Sequence, residues 1–348
     1  MDDAPSWFVS LVCLGAVYVA ALCARPLAYL ALCLRRPKDL HRYGSWAIVT
    51  GPTSGLGRSM AVELARRGLN LLLLDLDAAN LQETSDAIKA LHPVKVKSVV
   101  LDLSLVATPQ GDEAMRRFKE AMEGLDVGLL VNNAAVNTPG AVYLHEADIE
   151  RFVRMIRVNL WGLTEVTAAV LPRMLARGRG AIVNVGSGST VAVPSFPLYT
   201  VYSSTKKYVA KFSKSIYVEY KSKGIDVQYQ VPFYVHTRML SSAVKAKLRP
   251  WFVATADEYT RTAARWIGNG PLCVPGAAQK LQWCLTGFVP DWAHDWYRIR
   301  LHLQHRAVTR RGGGGGTVIA GGNSRGGQAA VTPNASNNPG AVAKEIRA

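Results

Sequence analysis

"WAIVTGPTSGLGRSMAVELARRG", residues 46–68, decides the fold. The run WAIVT is apolar and too short for a helix, and it leads into three glycines, Gly51, Gly55 and Gly57. After them apolar residues recur at helical spacing until Gly68, which follows two arginines as a helix stop would. The stretch therefore reads strand, turn, helix. Glycines in such a turn let the backbone bend sharply and come close to a ligand, and the helix N-terminus offers its free amides to negative charge. A G-x3-G-x-G spacing in this setting points to a dinucleotide, with Thr50, Gly51, Ser54, Gly55, Leu56 and Gly57 forming the loop around the pyrophosphate.

Outward from this unit the rhythm repeats. "LNLLLLD" (69–75), "VKSVVLDL" (96–103), "VGLLVNN" (127–133), "GAIVNVGS" (180–187) and "DVQYQVPF" (226–233) are nearly continuous apolar runs, the pattern of strands covered on both faces. Helical segments lie between them; "NLQETSDAIKAL" sets Leu81, Ile88 and Leu91 on one stripe. This alternation predicts an α/β fold, a doubly wound parallel sheet of the Rossmann type. In such a sheet ligands sit beyond the carboxyl ends of the strands, and polar groups collect there. Asp75, eighteen residues after Gly57, stands where a carboxylate binds a ribose 2′-hydroxyl and repels a 2′-phosphate; the plainer reading is that it caps the next helix. Asp102 suits an adenine edge, Asn132 belongs to a pair of asparagines, and Ser187 and Ser189 bring hydroxyls to the fifth strand end. Then "YTVYSSTKKYV" (199–209) sets Tyr202 and Lys206 four apart, one turn from each other on a helix. That pairing suits a proton donor with a cation beside it. Tyr199 and Tyr208 read as packing or surface residues, and His145 and His236 show no pattern for a metal or a hydrolase base.

The chain has 348 residues, 49% hydrophobic and 19% charged, with a formal charge of +16. Such a charge favours anionic membranes, phosphorylated small molecules or nucleic acid. No zinc spacing, aromatic RNA motif or basic block appears, which sets nucleic acid aside. The five cysteines form no CxxC and no paired framework, as in a reducing compartment. Trp7 to Ala24 is eighteen residues without a charge, and LAYLALCL resumes after Arg25 and Pro26. With an acidic start in place of a basic one, this predicts an uncleaved membrane anchor, not a signal peptide. Arg35, Arg36, Lys38 and Arg42 follow it and place the main domain in the cytosol. The expected organisation is an anchor and basic flank (1–43), a Rossmann domain (44–270), a C-terminal extension (271–311) and a disordered glycine-rich tail (312–348). Within the extension, Leu281–Tyr297, with Trp283, Trp292 and Trp296, reads as core in preference to a membrane-facing surface.

The ordered set TGxxxGxG, NNA, Ser and YxxxK resembles the short-chain dehydrogenase/reductase family over residues 44 to 270. "RYGSWAIVTGPTSGLG", "GLDVGLLVNNA", "YLHEAD", "GIDVQYQVPFYVHTRM" and "RWIG" resemble its membrane-anchored 3-oxoacyl-CoA reductases of very-long-chain fatty acid elongation, plant ones especially, and the related 17β-hydroxysteroid dehydrogenases. The resemblance implies NADP(H), with NAD(H) admitted by Asp75, and a fatty acyl-CoA substrate. It also implies the endoplasmic reticulum membrane and other elongase subunits as surroundings. Tyr202 becomes the general acid, and Lys206 binds the nicotinamide ribose and depresses the tyrosine pKa. Ser187 holds the substrate carbonyl with Ser189 beside it, Asn159 holds a relay water, and Thr237 meets the carboxamide. A steroid or lipid-alcohol dehydrogenase and an inactive cofactor-binding subunit are the alternatives. The family usually reads NNAG, and Ala135 replaces that glycine.

Overall fold

Strand β1 (Trp46–Thr50) is buried along its whole length and pairs in parallel with β2 (Asn70–Asp75) on one side and β4 (Val127–Asn132) on the other. With β3 (Val96–Val100), β5 (Gly180–Val185), β6 (Ile225–Gln230) and β9 (Leu272–Cys273) they form one parallel sheet, ordered β3-β2-β1-β4-β5-β6-β9. The order reverses between β1 and β4, and the crevice that binds ligands in doubly wound sheets opens at that reversal. A separate two-stranded parallel sheet joins β7 (Val235–His236) to β8 (Ala254–Thr255). The computed structural model describes residues 5–33, 36–237 and 253–312.

The two-residue period of the strands divides the core. Ala47, Val49, Leu71, Leu73, Leu129 and Val131 pack with Met60 and Leu64 of α2 (Gly55–Arg66), Leu81 and Ile88 of α3 (Ala78–Leu91), and Tyr259 and Ala263 of α8 (Ala256–Trp266). Ile48, Leu72, Leu74 and Leu130 face the other layer. There they meet Met115 and Phe118 of α4 (Pro109–Ala121), Val166 and Met174 of α6 (Leu163–Ala176), and Ile216 of α7 (Thr200–Tyr220). Phe118 is fully buried, so truncating it to alanine costs about 3–5 kcal/mol. A π-helical turn, Arg157–Gly162, interrupts the passage from α5 (Ile149–Ile156) to α6.

Three expectations need correction. Leu91 is the last residue of α3 and points outward, 68% exposed, unlike buried Leu81 and Ile88. Strand β3 lies at the sheet edge, where neighbours cover it on one side only, so most of it is not buried. The segment Leu281–Tyr297, spread over α9 (Ala277–Thr286) and α10 (Asp291–Gly312), is not core: Phe288 is 80% exposed, Trp292 73% and Trp296 54%. Of the three tryptophans only Trp283 turns inward, its indole N–H donating to the Val191 carbonyl at 3.2 Å.

The chain divides into two units, residues up to Asp39 and residues from Leu40 onward, four residues earlier than the expected boundary because Leu40 and Tyr43 join the core of the second. That second unit also takes in the expected extension, since β9 completes the main sheet. The first unit consists of α1 (Ser6–Cys33), with Trp7, Phe8, Leu11, Leu14, Val17 and Tyr18 exposed. Among the described residues no helix is long and apolar enough to cross a membrane. Residues 238–252, after Thr237, and the expected tail beyond residue 312 lie outside the described residues.

Candidate active site

A cleft of about 730 Å³ opens at the carboxyl ends of β1, β2, β4, β5 and β6, a volume in the range of small-molecule sites. One end is built from the glycine turn. A Cβ at Gly57 would stand 2.0 Å from the Gly51 carbonyl oxygen, so only glycine lets α2 start this close to the strand end. Gly51 (φ +66°) and Gly55 (φ +54°) take left-handed backbone, the conformation glycine adopts without penalty. Gly51, Ser54, Gly55 and Leu56 line the cleft, while Thr50 sits behind it, its Oγ1 accepting the amides of Asn133 and Ala134 at 3.0 Å each. Ser54 is the N-cap residue of α2 and makes no side-chain capping bond. The turn is thus a cradle that a single methyl would fill, with helix amides facing into it, and it fits a dinucleotide pyrophosphate.

Asp75 lines the cleft and accepts the Thr53 hydroxyl at 2.8 Å and the Leu76 amide at 2.7 Å. It does not cap α3. Asp77 does, accepting the amides of Ala79 and Asn80 at 3.0 Å each. Arg58, next to the glycine turn, pairs with Glu83 at 3.3 Å and does not line the cleft. Asp102 lines it too, one carboxylate oxygen holding the Ser104 amide at 2.8 Å.

Asn132 is not in the cleft. It is buried beneath it, donating to Thr167 Oγ1 at 2.9 Å and to the Asn184 side-chain oxygen at 2.8 Å. Its neighbour Asn133 takes the place expected of it, lining the cleft and donating to the carbonyls of Thr50 (3.1 Å) and Gly51 (3.0 Å). Strand parity accounts for this. Asn132 falls on the side of Leu130, toward α6, and Asn133 on the side of Val131, toward the glycine turn. Ala135 lines the cleft, and its backbone is not among the left-handed positions of the described residues, so its methyl brings no backbone strain.

At the far end Ser187, Tyr202 and Lys206 come together. Tyr202 is buried on α7, and burial raises its pKa; the hydroxyl of Ser187, which lines the cleft with it, offsets part of that rise. This influence separates the two serines, since Ser189 donates its hydroxyl to Ser187 Oγ at 3.0 Å. The expected depression of the Tyr202 pKa by Lys206 is not found. Desolvation of the phenolate dominates, and the Lys206 ammonium is turned to the Val185 carbonyl at 2.9 Å. Burial brings the pKa of Lys206 itself down from 10.5 to about 8.

Asn159 also departs from expectation. Its amide hydrogens go to the Val136 carbonyl (2.9 Å) and Thr205 Oγ1 (3.0 Å), and its oxygen accepts the Val136 amide (2.8 Å). With both donors taken, the side chain ties the loop after β4 to α7 instead of donating to a water. The π-helical turn, a feature frequent at functional sites, places it there. Thr237 lines the cleft beside Gly55.

Residues with no advance signal complete the wall. Phe196, Tyr199, Phe233 and Tyr234 make an aromatic mouth, closed by Leu301, His302 and His305 of α10. His302 is 2% exposed; its Nδ1 donates to the Pro197 carbonyl at 2.6 Å, and burial lowers its pKa to about 4.

A family model described as short chain dehydrogenase matches residues 45–248. A very-long-chain 3-oxoacyl-CoA reductase-like protein of Arabidopsis thaliana is 40% identical over 89% of this chain and 98% of its own. An inactive hydroxysteroid dehydrogenase-like protein 1 of Homo sapiens is 32% identical over 74% of this chain and 76% of its own. Among solved structures, a short-chain dehydrogenase from Sphingobium yanoikuyae in complex with NADPH superposes with a TM-score of 0.57 at 27% identity, covering 70% of this chain and 96% of that one.

Proposed function

The chain belongs to the short-chain dehydrogenase/reductase family, and from that premise we propose that it reduces a 3-oxoacyl-CoA to the 3-hydroxyacyl-CoA in very-long-chain fatty acid elongation. The observation that carries the reading is that Ser187, Tyr202 and Lys206 line one end of a cleft whose other end is the glycine turn. A bound nicotinamide supplies the hydride. Ser187 orients the substrate carbonyl and stabilises charge on its oxygen, and Tyr202 gives that oxygen its proton. Lys206, whose ammonium donates to the Val185 carbonyl and which lines the cleft, binds the nicotinamide ribose on this reading. Asn159 keeps the loop after β4 and helix α7 in register.

Resemblance to the elongation reductases implies NADP(H). The Asp75 carboxylate works against a 2′-phosphate, and no cation lining the cleft pairs with it among the described residues, so a weakened NADPH preference is the expectation.

The reading includes a seat on the cytosolic side of the endoplasmic reticulum membrane. Two features support it: the exposed apolar side chains of α1, and the exposed stripe Leu281, Leu285, Phe288, Trp292 and Trp296. Tryptophans favour the headgroup level of a bilayer, and Arg300 lies 4.2 Å from the centre of the Trp296 ring, a cation–aromatic pair suited to that level. Substrates with long acyl tails would then reach the aromatic mouth from lipid. That mouth also suits a flat ring system, and this favours a steroid or lipid alcohol as the second reading.

The test is reduction of a long-chain 3-oxoacyl-CoA by membranes expressing the full chain, with NADPH and NADH in parallel. Turnover that Tyr202→Phe lowers by about 10²-fold or more supports the reading. Absence of turnover by folded protein with either cofactor rejects it, and a steroid panel then separates the second reading from an inactive subunit.

A further inference from the structure

Behind the catalytic wall, outside the cleft, lies Tyr229 of β6, only 3% exposed. Its ring packs against Gly186 so closely that a Cβ there would stand 2.0 Å from Tyr229 Cζ. Its hydroxyl meets two groups of the Ser187 turn. The Ser187 amide donates to it at 3.3 Å, and it lies 2.7 Å from Thr190 Oγ1. Thr190 in turn donates its hydroxyl to the Ser187 carbonyl at 2.7 Å. A hydroxyl has one proton, and a single assignment satisfies all three of these contacts, with the Lys206 carbonyl at 3.5 Å set aside. Thr190 has given its proton to the carbonyl and accepts from Tyr229; Tyr229 has given its proton to Thr190 and accepts from Ser187. The result is a closed cycle: Ser187 N–H to Tyr229 Oη, Tyr229 O–H to Thr190 Oγ1, Thr190 O–H to Ser187 C=O. Both main-chain polar groups of Ser187 are held by it. The Lys206 carbonyl lies 3.5 Å from the same phenol oxygen, so Tyr229 also touches the backbone of α7.

We propose that Tyr229 is a positioning residue that fixes Ser187 through this cycle, with Gly186 as the gap that admits its ring. It touches neither substrate nor cofactor and acts by holding the Ser187 hydroxyl in the cleft with Tyr202. Tyr229 and Thr190 are buried and Ser187 partly so, and in such surroundings hydrogen bonds polarise one another and a missing member leaves a polar group unpaired. The phenol is well protected from ionisation, since burial pushes the Tyr229 pKa up to about 12, so the cycle persists across the working pH range. This rests on the reductase reading of the same site.

Tyr229→Phe keeps the ring and removes the links. The expected result is a roughly tenfold fall in kcat with the cofactor KM within about twofold of the parent, since the glycine turn is untouched. The alkaline limb of the reduction rate, set by Tyr202 losing its proton, should move to higher pH, because the Ser187 hydroxyl that lowers that pKa is loosened. Deuterium uptake by the Ser187 amide should speed up at least about tenfold in the full chain. Thr190→Val should reproduce all three effects, and Thr190→Ser, which keeps the hydroxyl, should restore the parent behaviour. An unmoved limb and unchanged uptake in Tyr229→Phe would overturn the proposal. So would a joint loss of kcat and cofactor affinity without a shift of the limb, since that marks general loosening. If the parent chain reduces no carbonyl at all, the reductase reading fails, and the exchange rate still decides the cycle.

Discussion

Replacing Lys206 with methionine should stabilise the folded chain while disabling it. The ammonium is 4% exposed, with one hydrogen bond to the Val185 carbonyl, and burial lowers its pKa from 10.5 to about 8. At 1.36 kcal/mol per pH unit, the folded state carries a penalty of about 3 kcal/mol at neutral pH for keeping the proton. Below pH 8 both folded and unfolded chains hold the proton and the penalty stands in full. Between pH 8 and 10.5 the unfolded chain still holds it and the folded chain does not, so stability rises with pH across that window. Methionine has similar length and no charge, but it leaves the Val185 carbonyl without its partner, at a cost of about 1–3 kcal/mol. The net expectation at pH 7 is a gain of about 1 kcal/mol, or roughly 2–4 °C in melting temperature. Urea unfolding of the full chain in detergent, followed by tryptophan fluorescence at pH 7, 8, 9 and 10, reads this directly. Lys280 is also lowered to about 8, while Cys273 and Tyr202 are raised and pull the other way at high pH. These contributions cancel in the difference between parent and variant. That difference should favour the variant at pH 7 and shrink toward pH 10. A variant less stable than the parent at pH 7, with a difference that does not change with pH, would refute the claim that Lys206 is a strained buried cation.

Asp75→Ser should raise kcat/KM for NADPH relative to NADH by about tenfold or more, because it removes the carboxylate facing the 2′ position; an unchanged ratio would make Asp75 a partner of Thr53 only. The two asparagines should separate cleanly in calorimetry and cofactor titration. Asn132→Ala costs about 1–3 kcal/mol of stability by unpairing Thr167 and Asn184, with cofactor affinity unchanged, whereas Asn133→Ala releases the glycine turn and weakens cofactor binding about tenfold. On the lipid-facing reading, the double change Phe288→Asp and Trp292→Asp should raise KM for a vesicle-borne long-chain substrate severalfold and leave a short, water-soluble one unaffected; equal effects on both would count against that reading.

The fold was legible because one physical signal repeats along the chain. The buried runs of β1, β2, β4 and β5 are largely apolar on both faces, and Gly57 in the turn after β1 has no room for a side chain. Legibility failed where local composition and tertiary surroundings part company. Strand β3 carries Lys97 and Ser98 among three valines and lies at an edge. The tryptophan-rich stretch after α9 has core composition, and nothing local says that it turns outward. At the site, Ser187, Tyr202 and Lys206 were found by type and spacing, and Asp75 by its distance from Gly57. Asn132 and Asn133 are identical in type, and only the alternation of the strand separates them, one beneath the cleft and one lining it. Tyr229 and His302 carried no signal, since their roles depend on which backbone carbonyl or amide the fold sets opposite them.

The electrostatics of the Ser187–Tyr202–Lys206 group also answers a question that spacing could not. A cation four residues from a tyrosine suggests a phenol made more acidic, yet a residue that must donate a proton near neutral pH gains nothing from losing it beforehand. Burial keeps Tyr202 protonated in the resting site, and the Ser187 side chain offsets only part of that rise. Lys206 need not acidify the tyrosine for this to work. Fixed to the Val185 carbonyl at the end of β5, it is a rigid cation one turn from the donor, and its energetic cost is borne by the fold. Catalysis and stability are opposed at that residue, which is why one substitution there should move them in opposite directions.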